Sequence, residues 1–379
     1  MILNNTKKIL FLTGTRADFG KIKSLLQILE EHEKFKVFVF VTGMHLMEKY
    51  GYTLLEVERC KFKNIKTFKN HTDETTMDLT LSKTIEGLSS YVKECQPDMI
   101  VIHGDRVEAL AGGIVGSLNN ILVTHIEGGE ISGTIDELIR HSTSKLSHLH
   151  FVANSNAKQR LIQMGELESS IFVIGSPDID IMFSDNLPAL IEVQDYYQIP
   201  FEKYALVMLH PVTTEIKHMK KYVDNFVESL LNDYHNYVII YPNNDLGSSI
   251  ILNAYKKIKD HNRFKVFPSL RFEYFLTLLK NAQFIIGNSS AGIREAPYYN
   301  VPIINIGTRQ KNRAIQTDII NTNYTKKEIS TALKEIDNYK PIKKEIDEFG
   351  KGNSAKLFLD LLLNKDIWKL NHQKQFRDI

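Results

Sequence analysis

Two stretches of the chain set carboxylates at the ends of apolar runs. "MIVIHGDR" places Asp105 directly after one run, and "ILVTHIEGGEISGTIDELIRHS" places Glu127 at the end of another, with Glu130, Asp136 and Glu137 following. Carboxylates gathered in one place raise each other's proton affinity, so one can stay protonated while another ionises. A site built this way holds an acid and a base at neutral pH. A single such acid would serve equally as a helix cap, and Asp105 before "RVEALAGGI" suits that role; three on neighbouring strand ends are harder to explain by capping. A cation site is the rival chemistry, although magnesium is usually held by few carboxylates together with phosphate. His210 closes the run "YALVMLH" and is followed by Pro211 and the pair Thr213 and Thr214. His148 and His150 match no metal-ligand spacing and read as structural. Cys60 and Cys95 are too few and too far apart for a zinc motif or a disulfide framework, and read as reduced thiols.

Two further loops suit an anion. "LTGTRADFGK" has Arg16 where the second glycine of a dinucleotide fingerprint would stand. Its span from Gly14 to Gly20 is one residue too long for a Walker A loop, and Ile22 replaces the Ser/Thr of that motif. An arginine between a strand and a helix N-terminus can instead grip a phosphate, with the helix end adding N–H groups and partial positive charge. "NSSAGIREAP" repeats the arrangement after "QFIIG": Ser289 and Ser290 offer hydroxyls, and Glu295, about one and a half helical turns on, could accept from ribose hydroxyls.

The elements that must position these residues follow from the apolar pattern. Before residue 176 the strand-like runs are "KILFLTG", "KVFVFVTG", "MIVIHGD", "ILVTHIEG", "HLHFVAN" and "IFVIG"; after it come "YALVMLHP", "YVIIYPN", "FKVFPS", "QFIIGNS" and "PIINIG". Continuous apolar strands belong to parallel sheets covered on both faces by helices. Between them lie amphipathic stretches such as Met77 to Cys95, with Met77, Leu81, Ile85, Leu88, Val92 and Cys95 on one face and Pro97 as its stop. In such sheets ligands sit beyond the carboxyl ends of the strands, where the polar tails "TGTRADFG", "TGMH", "HGDR", "HIEGGE", "LHPVTT", "YPNND" and "GNSSAG" fall. The expected fold is α/β, with two Rossmann-like domains facing across a cleft: residues 1–175, then 176–355. A C-terminal helix, residues 356–379, is expected to return to the first domain.

Length and composition narrow the function. At 379 residues the chain exceeds one ordinary core. Net charge is 47 minus 45, or +2, which gives no electrostatic case for nucleic acid or an anionic membrane. No apolar run approaches the length of a transmembrane helix, and the first residues lack a cleavable leader pattern, so a cytoplasmic protein is expected.

Taken together and in order, "GTRADFG", "HGDR", "HIEGGEISGTIDELIRHS", "HPVTT", "NSSAGIREAP" and "NIGTRQ" resemble the hydrolysing UDP-N-acetylglucosamine 2-epimerases, over residues from about 7 to about 360. The resemblance implies a glycosyltransferase-B-like fold with a nucleotide sugar in the cleft. It implies conversion of UDP-GlcNAc and water to ManNAc and UDP, the first step of sialic acid synthesis. It places catalytic groups at Asp105, Glu127, Asp136 and His210, and UDP-binding groups at Arg16, Gly20, Arg106, Asn243, Ser289, Ser290, Glu295 and Arg309. Some relatives carry serine at the position of Gly20, where this chain keeps only a backbone contact. The family resemblance implies no metal or cofactor, and a homo-oligomer, dimer or tetramer. Alternatives are the same hydrolysing reaction on UDP-2,4-diacetamido-2,4,6-trideoxyglucose or a GDP sugar, a non-hydrolysing epimerase, a glycosyltransferase of the same fold, and a nucleotide-sugar-binding regulator without turnover.

Overall fold

The computed structural model describes residues 5–71, 76–132, 135–310, 319–339 and 348–376. The chain packs as two units: Met1–Glu130, Asp136–Ser184 and Asp347–Ile379 form the first, and Ile131–Ile135 with Asp185–Ile346 form the second.

The first unit is built on a parallel sheet. Its strands are β1 (Lys7–Thr13), β2 (Phe35–Val41), β3 (Ile65–Thr67), β4 (Met99–His103), β5 (Leu122–Ile126), β6 (Leu149–Val152) and β7 (Ile171–Val173). They lie in the order β3-β2-β1-β4-β5-β6-β7. β1 shows why the runs are continuously apolar. Successive side chains point to opposite faces, and here both faces are core. Ile9 and Phe11 join Leu25, Leu26, Phe358 and Leu362 on one side; Leu10 and Leu12 join Leu88, Val92 and Val115 on the other.

The second unit repeats the plan with β8 (Ala205–Met208), β9 (Tyr237–Ile240), β10 (Phe264–Phe267), β11 (Ile285–Gly287), β12 (Ile303–Ile306) and β13 (Ile319–Thr322). Their order is β10-β9-β8-β11-β12-β13, again parallel. In each sheet the order reverses beside the first strand, between β1 and β4 and between β8 and β11. Loops leaving these strands open at the switch point, the usual ligand position of such sheets. Arg16 and Asp105 follow β1 and β4; His210 and Ser289 follow β8 and β11.

Two strands have no counterpart among the apolar runs of the sequence. β3 and β13 are edge strands of three and four residues with no fully buried position, so they carry no continuous apolar signal. The helix Met77–Cys95 ends at Gln96 in a left-handed cap, directly before Pro97.

The region after Gly175 is helical. Pro177–Met182 forms a short helix inside the first unit, and Ser24 donates to the Pro177 carbonyl at 3.2 Å. The units therefore part at Ser184 and Asp185, nine residues beyond the expected crossing. The helix Ser354–Leu362 returns to the first unit. Its N-terminus is capped from outside by Asp180, which accepts from the Ser354 and Ala355 N–H groups at 2.8 and 2.7 Å. Phe358 meets Phe151 edge-on at 4.9 Å. Among the described residues no helix is long and apolar enough to cross a membrane.

Candidate active site

Asp105 and Glu127 stand at the ends of the adjacent strands β4 and β5. Gly104, at φ +74°, turns the chain sharply after β4, a conformation glycine adopts without strain. The N-cap position of the following helix falls to Arg106, whose side chain makes no capping bond. The Asp105 carboxylate pairs with the Arg140 guanidinium. The Ile135–Leu146 helix carries Asp136 in its first turn and Arg140 one turn later, so the two share a helix face. Arg140 is buried; it also donates to the Glu127 carbonyl at 2.6 Å and lies 4.0 Å from Glu130. One guanidinium thus ties the helix bearing Asp136 to both strand ends.

Glu127 is only 3% exposed and adopts φ +64°. A left-handed backbone at a residue with a side chain costs about 1–2 kcal/mol, and such strain concentrates at functional sites. It is held by the Arg140 bond to the Glu127 carbonyl and by the Glu127 N–H donating to Phe151 at 2.9 Å. Ser176 donates to Glu127 Oε1, His103 Nε2 lies 3.2 Å from Oε2, and Lys21 Nζ lies 3.8 Å from Oε1 and 3.1 Å from the buried Asp178. Ordered proton partners therefore surround this carboxylate on several sides.

Sequence reading did not single out Arg140, Lys21, His103, Ser176 or Asp178. Arg140 and Lys21 carried faint signals: the first lies four residues after Asp136, the second directly follows Gly20. Ser176 and Asp178 sit in a stretch read as an inter-domain crossing. Residues 133 and 134 of the "GGEISGTIDELIRHS" motif lie outside the described residues.

The loop after β1 differs in detail from a plain phosphate cradle. Thr15 and Asp18 cap the Arg16–Glu30 helix reciprocally. The Asp18 carboxylate accepts from the Gly14, Thr15 and Phe19 N–H groups at 3.0, 2.8 and 2.8 Å. Those donors are spent on a built-in anion, so the expected supply of N–H groups is smaller than the motif suggests. Arg16 is the first helical residue, with Gly20 one turn along it. Arg106 Nε lies 3.4 Å from Glu108, whose buried side chain fills the space beside Gly14. Burial pushes the His45 pKa down to about 4, and this ring bridges Thr13 and Thr53 beneath the same loop.

In the second unit Asn288 is the hub. Its side chain accepts from the His210 N–H at 2.6 Å and donates to the His210 carbonyl at 2.9 Å. Its carbonyl accepts from Arg309 at 3.2 Å and Gln310 at 2.8 Å. His210 Nδ1 accepts from the Asn243 N–H at 3.1 Å, which leaves Nε2 as the protonated position of the neutral ring. His210, Asn243, Ser289 and Arg309 are thereby gathered at the ends of β8, β9, β11 and β12. Gly287, at φ +142°, lets β11 press against the Met208 carbonyl where a Cβ would collide. The helix expected after "NSS" is a single turn, Ala291–Arg294, and Ser289 Oγ accepts from the Ala291 N–H at 3.3 Å. Glu295 is its buried C-cap rather than a residue partway along a longer helix.

His148 and His150 lie at the amino side of β6. His148 Nδ1 accepts from the Val123 N–H at 3.0 Å. His150 faces Glu166 at 3.1 Å, and Lys145 and Lys374 reach the same carboxylate at 2.9 and 2.5 Å. Burial alone would raise the Glu166 pKa, but the bond from His150 and the Lys374 ammonium override it and hold the value at about 2. A carboxyl depressed on folding adds stability above its unfolded pKa of 4.5 and loses that contribution as the pH falls through about 2. The urea midpoint of the wild type should therefore exceed that of Glu166→Gln at pH 6, with the gap closing between pH 4.5 and 2. A gap that stays constant across this range would contradict it.

Two Rossmann-type sheets in tandem, with acids at one switch point and an Asn/Ser/Arg/His group at the other, define a nucleotide-fold protein. The UDP-N-acetylglucosamine 2-epimerase family model matches residues 27–363, and the chain belongs to that family. It is 48% identical over 376 residues to the UDP-N-acetylglucosamine 2-epimerase of Neisseria meningitidis serogroup B, covering 98% of this chain and 99% of that one. It is 34% identical to the hydrolysing UDP-N,N'-diacetylbacillosamine 2-epimerase of Legionella pneumophila, over 94% of this chain and 95% of that one. Among solved structures, the Methanocaldococcus jannaschii UDP-GlcNAc 2-epimerase in complex with UDP-GlcNAc and UDP superposes with a TM-score of 0.80 at 23% identity, covering 94% of this chain and 99% of that one. At that identity the likeness concerns the fold.

Proposed function

We propose that this chain is a hydrolysing 2-epimerase that converts UDP-GlcNAc and water to ManNAc and UDP, supplying the first step of sialic acid synthesis in the cytoplasm. The observation that carries the reading is the joining of Asp105 and Glu127 at neighbouring strand ends through Arg140, on the helix face that also bears Asp136. The similarity to a relative named as hydrolysing supports the water-consuming branch.

The C2 hydrogen of the sugar is not next to a carbonyl and is barely acidic. It becomes removable as the C1–O bond to UDP breaks and positive charge spreads over C1 and the ring oxygen. Anti elimination then moves the C2–H electron pair into a C1–C2 double bond and releases UDP with the bond's electrons, leaving 2-acetamidoglucal. Water adds its oxygen to C1, and a proton arrives at C2 from the opposite face, which inverts that centre. We assign proton transfer at C2 to Asp105 and Glu127. Asp136 supports the transient cation or activates water, and anionic side chains suit both tasks. His210, Arg16, Arg106, Asn243, Ser289, Ser290, Glu295, Arg309 and the Gly20 backbone are assigned to UDP, with the guanidinium groups and hydroxyls on the leaving diphosphate.

The test is incubation with UDP-GlcNAc and separation of the products. UDP and free ManNAc in equal amounts are expected; UDP-ManNAc would identify a non-hydrolysing enzyme instead. Because one similar protein is named for UDP-N,N'-diacetylbacillosamine, that sugar is the second substrate to compare, and a higher kcat/KM on it would reassign the substrate while keeping the reaction.

A further inference from the structure

The C-terminal tail of the first unit grips the far end of the helix that carries Asp136 and Arg140. Lys374 Nζ donates to the carbonyls of Lys145 and Ser147 at 2.9 and 2.6 Å and to Glu166 at 2.5 Å. The last carbonyls of a helix have no partner within it and carry partial negative charge, so an ammonium is well matched to them. The neighbouring tail residues tie down the loops that enter β5 and β6: His372 Nδ1 lies 2.6 Å from the Asn120 carbonyl, and His148 Nε2 donates to the His372 carbonyl at 2.9 Å. A cavity of about 820 Å³ runs along this segment between Leu370–Phe376 and Gly165–Leu167. The tail is therefore held by polar contacts rather than by close packing.

The helix it grips reaches the acids by two routes. One is Arg140, which meets Asp105 and the Glu127 carbonyl. The other is Ser144, four residues on and on the same face. Its hydroxyl meets His125 Nδ1 at 3.0 Å, and His125 Nε2 donates to the Gly104 carbonyl at 2.8 Å, directly before Asp105. Burial depresses the His125 pKa to about 3, so the ring stays neutral and can accept at one nitrogen while donating at the other. Sliding or fraying of this helix would displace Asp136, Arg140 and the turn holding Asp105 together.

We propose that Lys374 is a positioning residue: it locks the C-terminal end of the Ile135–Leu146 helix and thereby sets the placement of the acids for the chemical step, without touching substrate. This rests on the epimerase reading above. Two variants test it, Lys374→Met and a chain ending at Leu370. Both should lower kcat on UDP-GlcNAc by about tenfold or more, keep KM within about twofold, and speed amide hydrogen exchange across residues 136–147, in protein that circular dichroism shows to be folded at the assay temperature. A kcat within twofold of wild type in both variants, or a loss expressed in KM instead, overturns the proposal, as does unchanged exchange in that helix. If the wild type itself fails to turn over UDP-GlcNAc, the functional reading falls, and the exchange comparison still decides whether Lys374 locks the helix.

Discussion

Glu127→Gln is expected to fold as the wild type does and to turn over UDP-GlcNAc at least about 100-fold more slowly, the usual cost of removing a positioned acid or base. Glutamine preserves the shape of the side chain and can still accept from Ser176, and the left-handed backbone is fixed by bonds to its own N–H and carbonyl that the substitution leaves in place. Lys21 keeps its partner Asp178 at 3.1 Å, so the ammonium is not stranded in the interior. What disappears is an oxygen able to take a proton at the end of β5. Steady-state kinetics with circular dichroism on the same preparation separates the two effects. Near-normal turnover in a folded Glu127→Gln enzyme would remove Glu127 from the chemistry.

Arg140→Met should damage both stability and rate. Removing one member of a buried ion pair leaves the other without its compensating charge, a loss of roughly 3–5 kcal/mol. Here the truncation also frees the Glu127 carbonyl and withdraws positive charge from Glu130. The unfolding midpoint should fall by an amount matching roughly 3 kcal/mol. At temperatures where the variant is still folded, kcat should drop by about 100-fold, because Asp105 loses the contact that aims it. Arg140→Lys should recover little, since an ammonium cannot span Asp105 and the Glu127 carbonyl as a planar fork does. A variant as stable and as active as wild type would show that this guanidinium is incidental.

Much of this architecture could be read from the amino acids because the strands are buried on both faces. The runs around Phe11, Val101 and Val123 are apolar without alternation, and only a helix-covered parallel sheet makes that pattern necessary. Asp105 and Glu127 were visible for the same reason, as polar residues interrupting such runs at their ends. The contacts that organise them were not. Arg140 reaches Asp105 across 35 residues and Ser176 reaches Glu127 across 49. Pairings at such separations depend on the strand order, and spacing along the chain does not encode it. In the "GTRADFG" loop the spacing gave no sign that Asp18 accepts from the Gly14 and Thr15 N–H groups. In the second unit the serines of "NSS" drew attention, although Asn288 binds the end of β8 through its side-chain amide and the end of β12 through its carbonyl. The edge strands β3 and β13 escaped notice because a short strand open to solvent on one side has no distinctive composition.

The central claim is that side-chain acids remove the C2 hydrogen and that a proton of solvent origin replaces it on the other face. Its most direct test is the isotope at C2 of the sugar formed from UDP-GlcNAc in deuterium oxide, read by NMR. The account predicts ManNAc deuterated at C2, released together with UDP by the wild type and at a rate at least about 100-fold lower by Glu127→Gln. ManNAc that retains the original hydrogen at C2 would contradict it.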